Sequence, residues 1–186
     1  MTALATVART TTSISRRSIN LAEHGSRASR GASAGAAAGP LRLLVDLNIV
    51  LDVVLKRDPW FRDAMTLLNA LSAGAAQGYV ASHAIATLYY LVNKANGRVA
   101  AVTAVTDILG ICAVAPLGTA DLQRALALGF ADFEDAIQVA AALQTGCSFI
   151  ATRNTADFRG SPVPVRTAGE LLSLLPPGGC ALPPPT

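Results

Sequence analysis

Leu41-Arg42-Leu43-Leu44-Val45-Asp46-Leu47-Asn48 is a short apolar run that ends on an acid and turns at once into a helical pattern reaching Leu55. A run of this length between polar boundaries reads as a buried strand. Outward from it the same alternation recurs. Asp58-Pro59 supplies an N-cap with proline at the first helical position, predicting a helix through about Ala76. Gly78-Tyr-Val-Ala81 reads as a second strand, and Ser82 caps a helix to Ala95 that Asn96-Gly97 stops. A helix over Arg98–Leu109 leads to a third strand at Ile111–Ala115. Helices near Thr119–Leu128 and Asp132–Gln144 precede a fourth strand at Ser148–Ala151 and a weak fifth at Val163–Val165. Strands separated by crossover helices pair in parallel, so the pattern predicts an α/β sandwich with a mainly parallel sheet of four to five strands. Such sheets carry their sites at the carboxyl ends of strands, which singles out the residues after Val45 and after Ala151.

The ends of the chain differ from its middle. Residues 1–40 hold five basic residues (Arg9, Arg16, Arg17, Arg27, Arg30) and one acid, Glu23, in an Ala/Ser/Thr/Gly background without amphipathic period. This reads as a flexible basic extension. An organellar address, or a start codon set too far upstream in a GC-rich genome, gives the same composition. The Pro/Gly-rich stretch 176–186 reads as a loose tail. The domain is therefore expected over 41–175, where ten basic and eleven acidic residues leave it near neutral despite the chain's net +3. Apolar residues make up 52% and charged ones 15% of the whole, which argues against disorder, while no uninterrupted apolar run is long enough for a membrane span. Cys112, Cys147 and Cys180 form neither a CxxC pair nor an even set, pointing to small residues in a reducing compartment such as the cytoplasm.

Three stretches hold the groups that carry chemistry. Asp46 and Asn48 stand at the turn after the first strand, where capping of the next helix is the plain alternative for the acid. Asp132, Glu134 and Asp135 open an otherwise apolar helix; Asp132 is a natural N-cap, and acids there complement the helix dipole. Capping leaves Asp135 unexplained. It lies three residues beyond Asp132 on the same side of the helix, whereas Glu134 points elsewhere as a solvated charge. After the fourth strand come Thr152, Arg153, Asn154 and Asp157. If that strand neighbours the first, Asp46, Asp135 and Asp157 meet in one crevice and repel unless a cation joins them. Hard oxygen donors without His or Cys partners select Mg²⁺ or Mn²⁺ over zinc.

Asp46-Leu-Asn48, Asp132-Phe-Glu-Asp135-Ala, and Thr152-Arg-Asn154 with Asp157-Phe158 resemble, in order and spacing over about 41–170, the motifs of PIN-domain ribonucleases. The resemblance implies a three-layer α/β/α fold and a divalent-metal pocket built on Asp46, Asp135 and Asp157 with Asp132 in support. Asn48, Thr152, Arg153 and Asn154 would assist or contact substrate. It implies cleavage of single-stranded RNA, and a homodimeric toxin silenced by a small cognate antitoxin. One position departs from the pattern: Thr87 stands where members usually carry an acid, and Ser82 to Leu91 contains no carboxylate.

Other residues receive plainer expectations. His83 reads as a capping or surface residue, and Asp52 as solvated. Leu88, Tyr89, Tyr90 and Leu91 read as core or dimer contact. Lys56, Arg57, Arg62, Lys94 and Arg98 read as solubilising charges, with Arg153 the better substrate contact. Two other functions compete with the nuclease. One is a PIN-like module, degenerate at Thr87, that binds RNA or a partner without cutting. The other is a phosphoaspartyl-type phosphatase, which needs a second acid where Asn48 stands.

Overall fold

The computed structural model describes residues 40–176. Its elements run β1 (Arg42–Val45), α1 (Leu47–Val54), α2 (Phe61–Ser72), β2 (Gln77–Ala81), α3 (Ser82–Ile111) and β3 (Cys112–Ala115). They continue with α4 (Thr119–Ala127), α5 (Phe133–Gln144), β4 (Phe149–Ala151), β5 (Val165–Arg166) and α6 (Ala168–Leu172). All four strand pairings are parallel and the order is β3-β2-β1-β4-β5. The opening strand is therefore central, flanked by β2 and β4, with Leu43, Leu44 and Val45 fully or almost fully buried. Strand alternation sends Leu43 and Val45 into a core shared with α1, α2, α3 and α6. Leu44 faces the other side, against Ile150 and the α5 residues Val139, Ala141 and Ala142. The result is three layers, as expected. The small α5 face lets that helix lie close to the sheet.

Several boundaries differ from the sequence reading for local reasons. Asp58-Pro59 does not open α2: the peptide between them is cis, and the chain turns before Phe61, whose N–H donates to Arg57 O at 2.9 Å. The same helix ends at Ser72, short of Ala76, because Gly74 adopts φ +80°, a left-handed stop that glycine takes without Cβ strain. Gly97 separates two helical stretches within α3, as expected: it alone leaves helical geometry, at φ 82° and ψ 170°, and a new helical stretch runs on to Ile111. The fifth strand is Val165–Arg166, slightly later than expected, held by Thr152 N–H to Arg166 O at 3.0 Å.

Cys112 and Cys147 are free and buried, while the basic extension, the Pro/Gly tail and Cys180 fall outside the described residues, Pro40 and Pro176 excepted. Among the described residues, no helix is long and apolar enough to cross a membrane.

Candidate active site

The parallel pairing of β1 with β4 fixes the site's geometry, since Val45 lies level with Ala151 and Asp46 N–H donates to Ala151 O at 2.9 Å. The residues that leave both strands therefore emerge side by side. Asp46 sits at the N-cap position of α1 but makes no side-chain cap bond, so the capping alternative fails. Its carboxylate, 5% exposed, turns to the sheet edge instead. There Oδ1 accepts from Gln138 Nε2 at 2.8 Å and Oδ2 accepts from Thr152 Oγ1 at 2.7 Å. Buried carboxylates require such donors. Thr152 Oγ1 also accepts from Asn48 Nδ2 at 3.0 Å and from Asn154 N–H at 3.1 Å, while Asn48 Oδ1 receives Arg153 N–H at 3.3 Å. Asn48 and Thr152 thus lock the post-β4 loop to the start of α1.

Asp135 comes to this edge from α5. Burial raises its proton affinity first, and the negative charges of Asp132, Asp46, Asp157 and Glu134 raise it further, to a pKa of about 6. Asp135 thus lies within electrostatic range of Asp46, 89 residues before it in the chain. Their roles differ. Asp132 Oδ1 accepts from Glu134 N–H at 2.7 Å and caps α5. Asp157 is exposed, on a cleft of about 380 Å³ lined by Phe130, Ala131, Arg159 and Gly160. Asn154 is exposed, with only its backbone N–H turned to Thr152.

Three residues behave otherwise than their sequence reading, and a fourth had none. Asp52 is not solvated: it is 0% exposed, and its Oδ1 lies 2.6 Å from Arg153 NH1 and 3.9 Å from Arg57 NH1. Burial raises its pKa, and the two arginines oppose that rise. Six residues on from Asp46, on a helix buried along nearly its whole length, Asp52 faces inward. His83 is not a cap or a surface residue. Half-buried, it offers no hydrogen bond from either ring nitrogen, its Nε2 stands 3.7 Å from Glu134 Oε1, and burial lowers its pKa against the pull of Glu134 and Asp46. Glu134 is exposed as expected, yet it faces this imidazole and the acids, because α3 and α5 both begin at the sheet's carboxyl edge. Gln138 was missed altogether, although it lies one turn beyond Asp135 as the single polar side chain between Ala136 and Leu143.

Elsewhere Leu88 joins the core while Tyr90 is largely exposed. Thr87 is half-buried and bonds back to His83 O at 3.4 Å, so the turn after β2 brings no carboxylate to the site.

A PIN domain family model matches residues 42–156, more than half of the chain, and it spans Asp46, Asn48, Asp132, Asp135, Thr152, Arg153 and Asn154 but stops one residue before Asp157. The chain belongs to the PIN domain family. This PIN domain is 25% identical over 134 residues to ribonuclease VapC1 of Aquifex aeolicus (strain VF5), covering 69% of this chain and 92% of that protein. A toxin–antitoxin complex from Klebsiella pneumoniae superposes with a TM-score of 0.53 at 25% identity, over 68% of this chain and 97% of that one. VapBC2 of Rickettsia felis, bound to a DNA fragment from its promoter, shares the fold at a TM-score of 0.54 and 15% identity, over 68% and 98% of the respective chains.

The donor set decides which cation this PIN domain suits. Among the described residues, no three acidic, imidazole or thiol groups close into a ready cage. What stands at the edge is a set of carboxylate oxygens, two of them on an Asp46 whose orientation neutral donors already fix. Oxygen donors in an incomplete shell fit a hard cation that keeps several waters, and zinc prefers nitrogen and sulfur.

Proposed function

We propose that this PIN domain is a divalent-metal-dependent endoribonuclease that hydrolyses phosphodiester bonds of single-stranded RNA, and the toxin of a pair whose small antitoxin silences it. What supports this reading is a buried Asp46 fixed where β1 leaves the sheet beside β4, with Asp135 of α5 close enough to feel its charge and that of Asp157. The ribonuclease and toxin–antitoxin relatives support it.

Asp46 and Asp135 would hold Mg²⁺ or Mn²⁺, with Asp132 and Asp157 adding negative charge. Bound there, the ion supplies Lewis-acid stabilisation of the charge that builds on the phosphate, and a water acidic enough to attack at neutral pH. The chain's own part is positioning. Gln138 and Thr152 hold the Asp46 carboxylate in one rotamer, and Asn48 ties the loop to α1. Thr87 contributes no charge, so the shell relies on water on the α3 side.

The test is incubation of the full chain, freed of any antitoxin, with single-stranded RNA and Mg²⁺ or Mn²⁺, beside Asp46→Ala and Asp135→Asn. Cleavage by the parent that needs the metal, and that either substitution lowers at least a hundredfold, is the expected result. RNA binding without cleavage at any metal concentration would make it a non-cutting module instead.

A further inference from the structure

Next to the acids, on the α1–α2 side, lies a second feature the hydrolysis does not use. Arg153 follows Thr152 directly, and its guanidinium carbon stands 4.5 Å from the centroid of the Trp60 ring while NH1 is anchored on Asp52 at 2.6 Å. A guanidinium pinned by a fully buried carboxylate is a flat, immobile surface, and its positive charge is largely offset. Trp60, the chain's single tryptophan, is 44% exposed. The indole and the guanidinium wall a cavity of about 220 Å³ with Ile49, Pro59, Asp63 and Gly169. That is smaller than the ~300 Å³ or more typical of sites for larger small molecules, and suits one flat ring. Asp63 lies against Gly169, where an added Cβ would come within 2.8 Å of Oδ2, which puts its carboxylate at the wall of the cavity. Lys56 and Arg62, exposed on the turn and first turn of α2 nearby, supply charge for a phosphate backbone.

We propose that this cavity takes one unpaired nucleobase of the RNA strand, stacked on the Trp60–Arg153 pair, with Asp63 accepting a hydrogen bond from an exocyclic amine. Bases bearing that amine are therefore favoured over uracil. Stacking on aromatic and guanidinium planes is how proteins hold splayed bases, and an aspartate is the matching acceptor for the amine of cytosine. Because Arg153 adjoins Thr152, which bonds Asp46, a base seated here belongs to a nucleotide close to the bond that is cut. The inference rests on the ribonuclease reading for the identity of the strand.

Its test does not depend on cleavage. With one tryptophan in the chain, intrinsic fluorescence reports on Trp60 alone. Short 2′-O-methyl oligonucleotides, which resist cleavage, are titrated into the full-length protein: oligo-C, oligo-U and an abasic strand of equal length. The expected result is saturable quenching by oligo-C, several-fold weaker binding of oligo-U, and no quenching by the abasic strand. Asp63→Asn should bring oligo-C and oligo-U together, since an amide both donates and accepts. Trp60→Ala should weaken oligo-C binding about 5- to 150-fold by anisotropy of a labelled strand, and Trp60→Phe much less. Equal quenching by the abasic strand overturns the proposal, as does quenching by an arginine-rich, tryptophan-free peptide but by no oligonucleotide. RNA left intact by a protein whose fluorescence still responds to oligo-C would sink the nuclease reading and leave this one standing.

Discussion

Thr152 Oγ1 donates to Asp46 Oδ2 at 2.7 Å, joining the exits of two adjacent strands through residues 106 positions apart. The same hydroxyl oxygen accepts from Asn48 Nδ2 and Asn154 N–H, so a single side chain positions the buried acid and the loop beyond it. Thr152→Val keeps the shape and removes every one of these bonds. It should cost about 1–3 kcal/mol in urea unfolding, the usual penalty for stranding buried polar partners. Cleavage should fall more than tenfold, and Thr152→Ser should restore most of both. Equal losses for Val and Ser would show that the methyl group matters and the hydroxyl does not.

Asp135 makes stability depend on pH in a defined direction. Its folded pKa of about 6 lies above the ordinary 3.8, so between these values the folded chain holds a proton that the unfolded chain releases. Stability contributed by this group is therefore present at low pH and lost as pH rises toward 6. In EDTA, Asp135→Asn should flatten that slope and stabilise the protein at pH 7 by about 1 kcal/mol, a figure discounted for the screening of a half-exposed group. Thermal melts at pH 4.5 and 7 measure it. Mg²⁺ competes with the same proton, so its stabilising effect should be larger at pH 7.5 than at pH 5.

The architecture was legible in the sequence because its signals are local: short apolar runs, glycine stops and crossover helices. The boundaries of α2 moved: its end falls back to Ser72 before the left-handed Gly74, and its start passes Pro59 to Phe61. The pairing of Asp46 with Thr152 was legible in outline too, since both follow from one rule about strand ends. Asp52, His83 and Gln138 were not. Each owes its role to what faces it across the fold: Arg153 for Asp52, Glu134 for His83, Asp46 for Gln138. No spacing within a single segment reports such a meeting, although a lone glutamine on an alanine-rich face was a signal that a helical projection from Asp135 would have caught.

Arg153 and Arg57 both approach Asp52, and their contributions should be unequal. Arg153 NH1 is at 2.6 Å and mostly shielded; Arg57 NH1 is at 3.9 Å and more exposed. Arg153→Met strands a fully buried carboxylate and should cost about 3 kcal/mol at pH 7, against less than about 1 kcal/mol for Arg57→Met. Asp52 already has a raised pKa through burial, and losing Arg153 raises it further. The Arg153→Met penalty should therefore shrink as pH falls and the stranded acid takes up a proton. Denaturant midpoints at pH 7 and pH 5 decide the matter, and an Arg153→Met deficit that is the same at both would rule out a charged Asp52 as its cause.

Gly78 stands in β2 level with Cys112 in β3, and a Cβ added there would lie 2.7 Å from the cysteine sulfur and 3.1 Å from Leu71 Cδ1. Neither neighbour has room to retreat, because Cys112 and Leu71 are both buried in the core that β2 shares with α2. Gly78→Ala should destabilise by about 1–3 kcal/mol, the usual cost of overpacking. Cys112→Ala alone should cost less than that, as a small cavity. The double substitution should recover much of the loss, because removing the sulfur leaves the new methyl only the Leu71 contact, giving a coupling of at least about 0.5 kcal/mol in a double-mutant cycle. Strict additivity would mean that the strain lies against Leu71 instead. The same burial pushes the Cys112 thiol up to about 12, so it should resist alkylation at pH 8 until the chain unfolds.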